Sequence, residues 1–446
     1  MMRTQLIRNA RVVNEGRSFE ADVLLRAGRI ERIAMEGIGA ITGAEEIDAA
    51  GNHLLPGLID DQVHFREPGL THKEDIAHAT AACAAGGITS CMEMPNTVPQ
   101  ALTQELLSDK YRLAAASSLV NYSFYMGAGT GNIEEVVRTD PRTVCGLKAF
   151  LGSSTGDMVI ADDTVLDELF RRAHMLLAIH AEDDPTIRAN MERAIAKYGA
   201  DIPMAEHPLI RSAEACYKSS HAAVQRAKAF GTRLHILHIS TERELALFDP
   251  GPLEGKRITA EACVHHLWFT DADYAEKGSL IKWNPAIKTM QDRDAVRSAV
   301  IDGRIDIVAT DHAPHTLEEK ALPYAQCPSG GPLVQHALIA MLELAHQGVF
   351  SVEQVVEKMA HAPARLFDIV DRGFIREGLK ADLVLVDLDA PWTVDRASVL
   401  SKCGWSPFEG QRFKSRVLKT WVNGAVVYAD GLVDRSVRGE RLSFDR

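Results

Sequence analysis

At 446 residues, with 46% apolar and 25% charged side chains and a formal charge of -12, the chain has the composition of a soluble globular protein, too long for one small core and without low-complexity tracts. The acidic balance, with no basic stripe interleaved with aromatics, argues against nucleic acid as a partner, although metal ions or arginines can still make one pocket fit for an anionic substrate. Seven scattered cysteines without a CxxC pair predict reduced thiols, and no h-region or run of roughly 20 apolar residues is present, so a cytoplasmic protein with no export signal and no membrane contact is expected.

In chain order, residues 4–55 hold short alternating segments, TQLIRNARVV, ADVLLRAGRIERIA and EEIDAAGNHLLP, punctuated by Gly and Asn in the manner of half-buried strands. Eight β-like runs overlap and follow them: HLLPGLIDDQVHF, GITSCMEMPN, NYSFYMGAGT, VCGLKAFLG, MLLAIHAED, RLHILHIS, RITAEACVHHL and IDIVATDHAPH. Between these, stretches such as KEDIAHATAACAAG, ALTQELLSDKYRLAAASS and SAEACYKSSHAAVQRAKAF carry apolar residues three and four apart, the helical period. Strand and helix in repeated alternation predict an α/β chain with a (β/α)8 TIM-type barrel over residues 56–370. Toward the C-terminus, GFIREGLKADLVLVDLD and KTWVNGAVVYADG return to the alternating texture, with a hairpin signal at Asn423 and Gly424. Residues 1–55 and 371–446 are therefore expected to build one smaller β-rich domain from both chain ends.

Barrels of this type carry their active sites at the C-terminal ends of the strands, and here those ends are rich in metal-ligand types. The first run closes on Asp60, Asp61, Gln62, Val63, His64, Phe65 and Arg66, where alternation groups Gln62, His64 and Arg66 on one face with Asp60 beside them. Lys148 lies inside GLKAFLG, where an unpaired ammonium facing the interior costs several kcal/mol and needs a partner or a modification. Run five ends at His180, run six at His238, and run eight at Asp311, followed by His312 and His315. Any one of the 17 histidines is by default a surface or hydrogen-bonded core residue. Their recurrence at strand ends is what predicts a metal site. Imidazoles and carboxylates without thiolates suit zinc or another borderline divalent ion, and Lys148 as a carbamate would present one oxygen to each of two ions.

With these residues in place, the chain resembles the cyclic amidohydrolases, and among them the class I dihydroorotases, along nearly its whole length. The resemblance rests on LIDDQVHFREPG (58–69), MPNTVP (94–99), GLKAFLG (146–152), IHAED (179–183), HILHIS (235–240) and ATDHAPHTLEEKA (309–321). It implies that His64 holds a first zinc ion, carboxylated Lys148 bridges two, His180 and His238 hold the second, and Asp311 is both ligand and catalytic base. It further implies Arg66, Asn96, Asn284 and His315 as groups that hold a substrate carboxylate and ring amides, with the backbone of Ser329 and Gly330 in CPSGGP lining the ring. An arginine fork suits a carboxylate. The implied reaction is reversible hydrolysis of dihydroorotate to N-carbamoyl-L-aspartate in pyrimidine biosynthesis, by a homodimer with aspartate transcarbamoylase as a partner in some settings. One position departs from the family motif: Gln62 stands where the first His of His-x-His belongs, and because an amide oxygen is a weaker donor to zinc, it is left outside the ligand set.

Allantoinases and dihydropyrimidinases share this scaffold and these ligands, so Arg66, Asn96 and His315 carry the choice among them. A reading from another class, a catalytically silent relative serving as a structural partner, is invited by Gln62. It is opposed by the joint presence of His64, Lys148, His180, His238 and Asp311 at strand ends. His265 and His266 in ACVHHLWF are read as barrel packing and not as ligands.

Overall fold

The computed structural model describes residues 3–152 and 158–446. Strands from both chain ends share one sheet. Gln5–Asn14, Arg17–Arg26 and Arg29–Ala34 run antiparallel in succession, Glu45–Asp48 and His53–Pro56 pair with the first of them in parallel, and Leu383–Asp387, Arg416–Val422, Ala425–Ala429 and Leu432–Val433 bring the sheet to nine strands. The hairpin expected at Asn423 and Gly424 joins Arg416–Val422 to Ala425–Ala429, with φ of 51° and 79° at the two turn residues, as the right-handed twist of paired strands requires. Val12, Val23, Leu54, Leu385 and Trp421 pack together as part of this domain's own core.

The barrel strands are β1 (Leu58–Val63), β2 (Ile88–Glu93), β3 (Asn121–Phe124, resuming at Met126–Gly127), β4 (Leu147–Phe150), β5 (Leu177–His180), β6 (Leu234–Ile236), β7 (Ile258–Cys263) and β8 (Ile307–Ala309). Each pairs in parallel with the next, β3 reaching β4 through Met126 and Gly127. The ring closes where Val63 bridges His312 and the backbone N–H of His64 donates to His312 O at 2.7 Å. These strands are buried on both faces apart from the partly exposed Ile258, which is why they read as apolar runs without strict alternation.

The run HLLPGLIDDQVHF, expected as one strand, is divided at Gly57: His53–Pro56 belongs to the two-ended sheet and Leu58–Val63 to the barrel. A Cβ at Gly57 would lie 2.1 Å from Thr89 Oγ1, so the crossing between the two sheets passes where no side chain fits. The three helical stretches quoted above form Ile76–Ala85, Gln104–Ser117 and Ala213–Phe230, opened by Asp75, Thr103 and Ser212, whose side chains each accept from the backbone N–H three residues on. Among the described residues, no helix is long and apolar enough to cross a membrane.

Candidate functional site

All eleven residues proposed for ligation or substrate contact line one cavity of about 110 Å³ at the C-terminal ends of the strands, together with Gln62, Phe150, Trp283 and Ala313. Three of them, Arg66, His238 and Asp311, have φ of 64°, 42° and 49°. Non-glycine residues avoid that left-handed region unless the surroundings hold them there. Each follows the end of a strand, where the chain turns across the barrel mouth.

His180 Nε2 donates to Glu182 Oε2 at 2.9 Å, and Arg211 pairs with the same oxygen at 2.5 Å. Although burial alone would raise the Glu182 carboxyl, Arg211 and His180 hold it well below the usual carboxylate range. With its proton on Nε2, His180 turns the Nδ1 lone pair to the cavity, 2.9 Å from His238 Nε2. His238 is kept neutral chiefly by burial. His64 donates from Nδ1 to Asn96 Oδ1 at 2.8 Å, which leaves its Nε2 lone pair 3.3 Å from Asp311 Oδ1. Burial, reinforced by the Arg66 cation, holds His64 well below its ordinary pKa, so it too is a neutral donor. An imidazole whose far nitrogen is engaged by a carboxylate or amide oxygen is the form that ligates a metal.

Burial pushes Asp311 up to about 7 against the pull of His180 and Arg66. Its Oδ1 accepts from Gln62 Nε2 at 3.2 Å, while Gln62 Oε1 faces Cys263 Sγ at 3.6 Å. Gln62 therefore acts here as a hydrogen-bond donor to Asp311. Lys148 donates to Ala149 O at 2.9 Å and lies 3.6 Å from the centre of the Phe150 ring. Burial drives its pKa far below the ordinary lysine value, only partly opposed by Asp311 and Glu261. A buried, uncharged amine is the nucleophilic form that adds carbon dioxide, so the donor set, its outer partners and Lys148 all fit a divalent metal centre with a carbamate bridge.

The other half of the cavity is built around Arg66. Its Nε donates to Pro314 O at 3.1 Å and its Nη2 lies 3.1 Å from His315 Nε2; Nη1 has no partner among the described residues. Burial lowers Arg66 to about 10, which leaves it cationic at neutral pH. His315 is neutral because burial, Arg66 and Lys73 disfavour its charged form. Lys73 Nζ lies 3.1 Å from His315 Nδ1, and Nε2 is 3.1 Å from Ser329 O, so the ring links the Arg66 side to the loop over the cavity. Asn284 Oδ1 is buried with no partner among the described residues. The backbone of Gly330, expected to meet a ring, is committed within the chain: its N–H donates to Lys282 O at 2.8 Å and its carbonyl accepts from Lys320 Nζ at 2.9 Å. What Gly330 offers the cavity is its lack of a Cβ.

Sequence reasoning left out Glu182, Phe150 and Trp283, and it assigned Asn96 to substrate without seeing that its Oδ1 is spent on His64. Glu182 had a signal, a carboxylate two residues beyond a strand-end histidine in IHAED. His265 stacks on Trp283 with ring centres 4.5 Å apart, and His266 Nε2 meets Pro285 O at 3.0 Å, so both lie in the packing outside the cavity.

The amidohydrolase family signature matches residues 53–427. A dihydroorotase from Halobacterium salinarum is 37% identical over 402 residues, covering 87% of this chain and 91% of that protein. An allantoinase from Bacillus velezensis is 32% identical over 436 residues, covering 96% and 94%. Among solved structures, the L-hydantoinase (dihydropyrimidinase) from Arthrobacter aurescens superposes with a TM-score of 0.92 at 27% identity, covering 97% of this chain and 98% of that one.

Proposed function

The chain belongs to the amidohydrolase family, and on that premise we propose that it is a dihydroorotase, opening and closing the ring between dihydroorotate and N-carbamoyl-L-aspartate in pyrimidine biosynthesis. Relatives named for dihydroorotate and for allantoin match it comparably, so the choice rests on the site. The observation that carries it is Arg66, a buried cation lining the ligand-bearing cavity with Nη1 unspent. A guanidinium in that position matches a substrate carboxylate in charge and shape. Dihydroorotate carries one; allantoin and simple hydantoins do not, and with them the buried charge would stay unpaired.

The proposal includes two zinc ions per chain, with His64, carboxylated Lys148, His180, His238 and Asp311 as ligands. Such ions, when bound, lower the pKa of water toward about 7 and draw charge from an amide carbonyl. Asp311 moves the proton: its carboxylate takes it from water and gives it to the departing ring nitrogen, and in ring closure supplies it to the leaving oxygen. Arg66 fixes the substrate's carboxylate end, Asn284 Oδ1 accepts from a ring N–H, and Phe150 and Trp283 keep bulk water from the reacting amide.

The test is ring opening of dihydroorotate by the purified protein with zinc and bicarbonate, with allantoin in parallel and Asp311→Asn as control. Turnover of dihydroorotate is expected, with kcat reduced by roughly 10²–10⁴ in the variant. Turnover of allantoin instead would transfer the reading to allantoinase, and inertness toward both would favour the silent structural partner.

A further inference from the structure

One layer below the cavity, inside the barrel, lies a second group of donors: Asp61 within β1, His235 on β6 and Glu261 on β7, all fully buried. None belongs to the ligand or substrate set above. Each is anchored on its far side or neighbouring backbone. His235 Nδ1 donates to Thr259 Oγ1 at 2.8 Å, and the Thr259 hydroxyl donates onward to Leu234 O at 3.2 Å. The proton of the neutral imidazole is therefore on Nδ1, and Nε2 presents a lone pair to the cluster. Glu261 Oε1 accepts from the His238 backbone N–H at 3.0 Å and from Cys263 Sγ at 3.1 Å. Tyr125 donates to the Asp61 carbonyl at 3.0 Å. The atoms left over, both carboxyl oxygens of Asp61, Glu261 Oε2 and His235 Nε2, meet no donor on any other described residue, and the Asp61 and Glu261 carboxyls stand close enough to share a proton when no ion lies between them.

Their spacing is informative. His235 Nε2 lies 3.6 Å from Asp61 Oδ2 and 3.8 Å from Glu261 Oε2, and one donor atom from each residue falls within 4.8 Å of the others. The first two gaps exceed a direct hydrogen bond and are shorter than the roughly 4.5 Å spanned by a water making two bonds of about 2.8 Å. They approach the roughly 3.4–3.6 Å between two donors that share one ion at about 2.1 Å.

We propose that Asp61, His235 and Glu261 bind a divalent cation of the zinc class in a buried site separate from the catalytic centre. Two carboxylates and a neutral imidazole balance the charge of such an ion, and the Nδ1 bond to Thr259 is the backing that metal-bound imidazoles keep. Without the ion, burial pushes Glu261 up to about 8 and, with Glu261 beside it, Asp61 well above the carboxylate range, so that in the absence of a counter-charge both carboxyls hold their protons near neutrality. The ion pins β1 to β6 and β7 across the interior. Through Glu261 it also fixes the backbone of His238 above, so the catalytic centre rests on a metal-tied floor.

The experiment is anomalous diffraction at the zinc edge on crystals of the full chain purified from zinc-supplemented culture. The expected result is a peak within coordination distance of Asp61, His235 and Glu261, resolved from any at His180 and His238, with metal content falling by one equivalent per chain in Asp61→Asn. A map without that peak overturns the proposal whatever the upper centre holds, and assigns the cluster a proton shared between Asp61 and Glu261. A peak below with an empty upper centre upholds this site and counts against the metal reading of the catalytic one. Should Asp61→Asn fail to fold, the wild-type map alone decides.

Discussion

Arg66 is held by Pro314 O and stands against His315, so its guanidinium is oriented before any substrate arrives. Lysine keeps the charge but offers no planar fork and cannot keep both contacts while meeting a carboxylate. Arg66→Lys is expected to raise KM for dihydroorotate by about tenfold or more, since a charge-assisted pair contributes roughly 1.5–3 kcal/mol, while kcat changes less. Steady-state kinetics separate the two, and an equal fall in kcat with KM unchanged would show that Arg66 acts in the transition state instead of in binding. The Gln62 amide N–H on Asp311 supports the carboxylate that carries the proton.

Among the elements, the loop carrying Ser329 and Gly330 closes the cavity through its backbone. Gly330 has φ of 125°, and a Cβ there would come 2.3 Å from Ala313 O. Gly330→Ala must therefore displace the loop from the strand-end segment that follows β8, separating Ser329 O from His315. The expected outcome is a raised KM together with a thermal midpoint several degrees lower, from strain on the order of 1–3 kcal/mol. Melting followed beside kinetics checks both, and a variant unchanged in each would mean that the loop adapts at no cost.

Across the whole molecule, the two-ended sheet and the barrel are joined by a buried network around Asp382. Arg372 pairs with Asp382 and with Glu440, while Asp382 also accepts from Asn121 at the start of β3 and from the backbone of Asn423 in the hairpin. Removing one member of a buried pair leaves a charge without compensation, so Arg372→Ala is expected to cost about 3–5 kcal/mol, read as a lower urea midpoint. The pH response also belongs to this scale. Burial raises Asp60 and Asp311 to about 7 and Glu261 to about 8. A carboxyl whose folded pKa exceeds its unfolded value near 4 binds its proton more tightly in the folded chain; its contribution is complete below about pH 4 and is lost as pH rises through the folded value. The thermal midpoint of chelator-stripped protein should therefore fall as pH rises toward 8, and zinc should reduce that fall by pairing the ionised carboxyls. A midpoint that rises over this interval would show that these groups ionise freely in the fold.

Much of this protein is legible in its residue order because the signals are local. Helical spacing in SAEACYKSSHAAVQRAKAF, the hairpin at Asn423 and Gly424, and polar ligand types where apolar runs stop all depend on neighbours a few positions apart, and they suffice to anticipate the α/β architecture and the strand-end ligands, whereas Asn96, Asn284, Ser329 and Gly330 follow only from the family resemblance. The proton positions on His64 and His180 depend on Asn96 and Glu182, whose bearing on those rings follows from how strand ends turn. The break at Gly57 is set by Thr89 on a neighbouring strand. The meeting of Asp61, His235 and Glu261 depends on the stagger that closes the barrel, a relation among distant strands with no local period. Residue order alone thus determined which elements form and which chemistry their ends carry; only the tertiary structure decided which nitrogen faces inward and which buried charges lie side by side, because those are settled by packing between segments far apart in the chain.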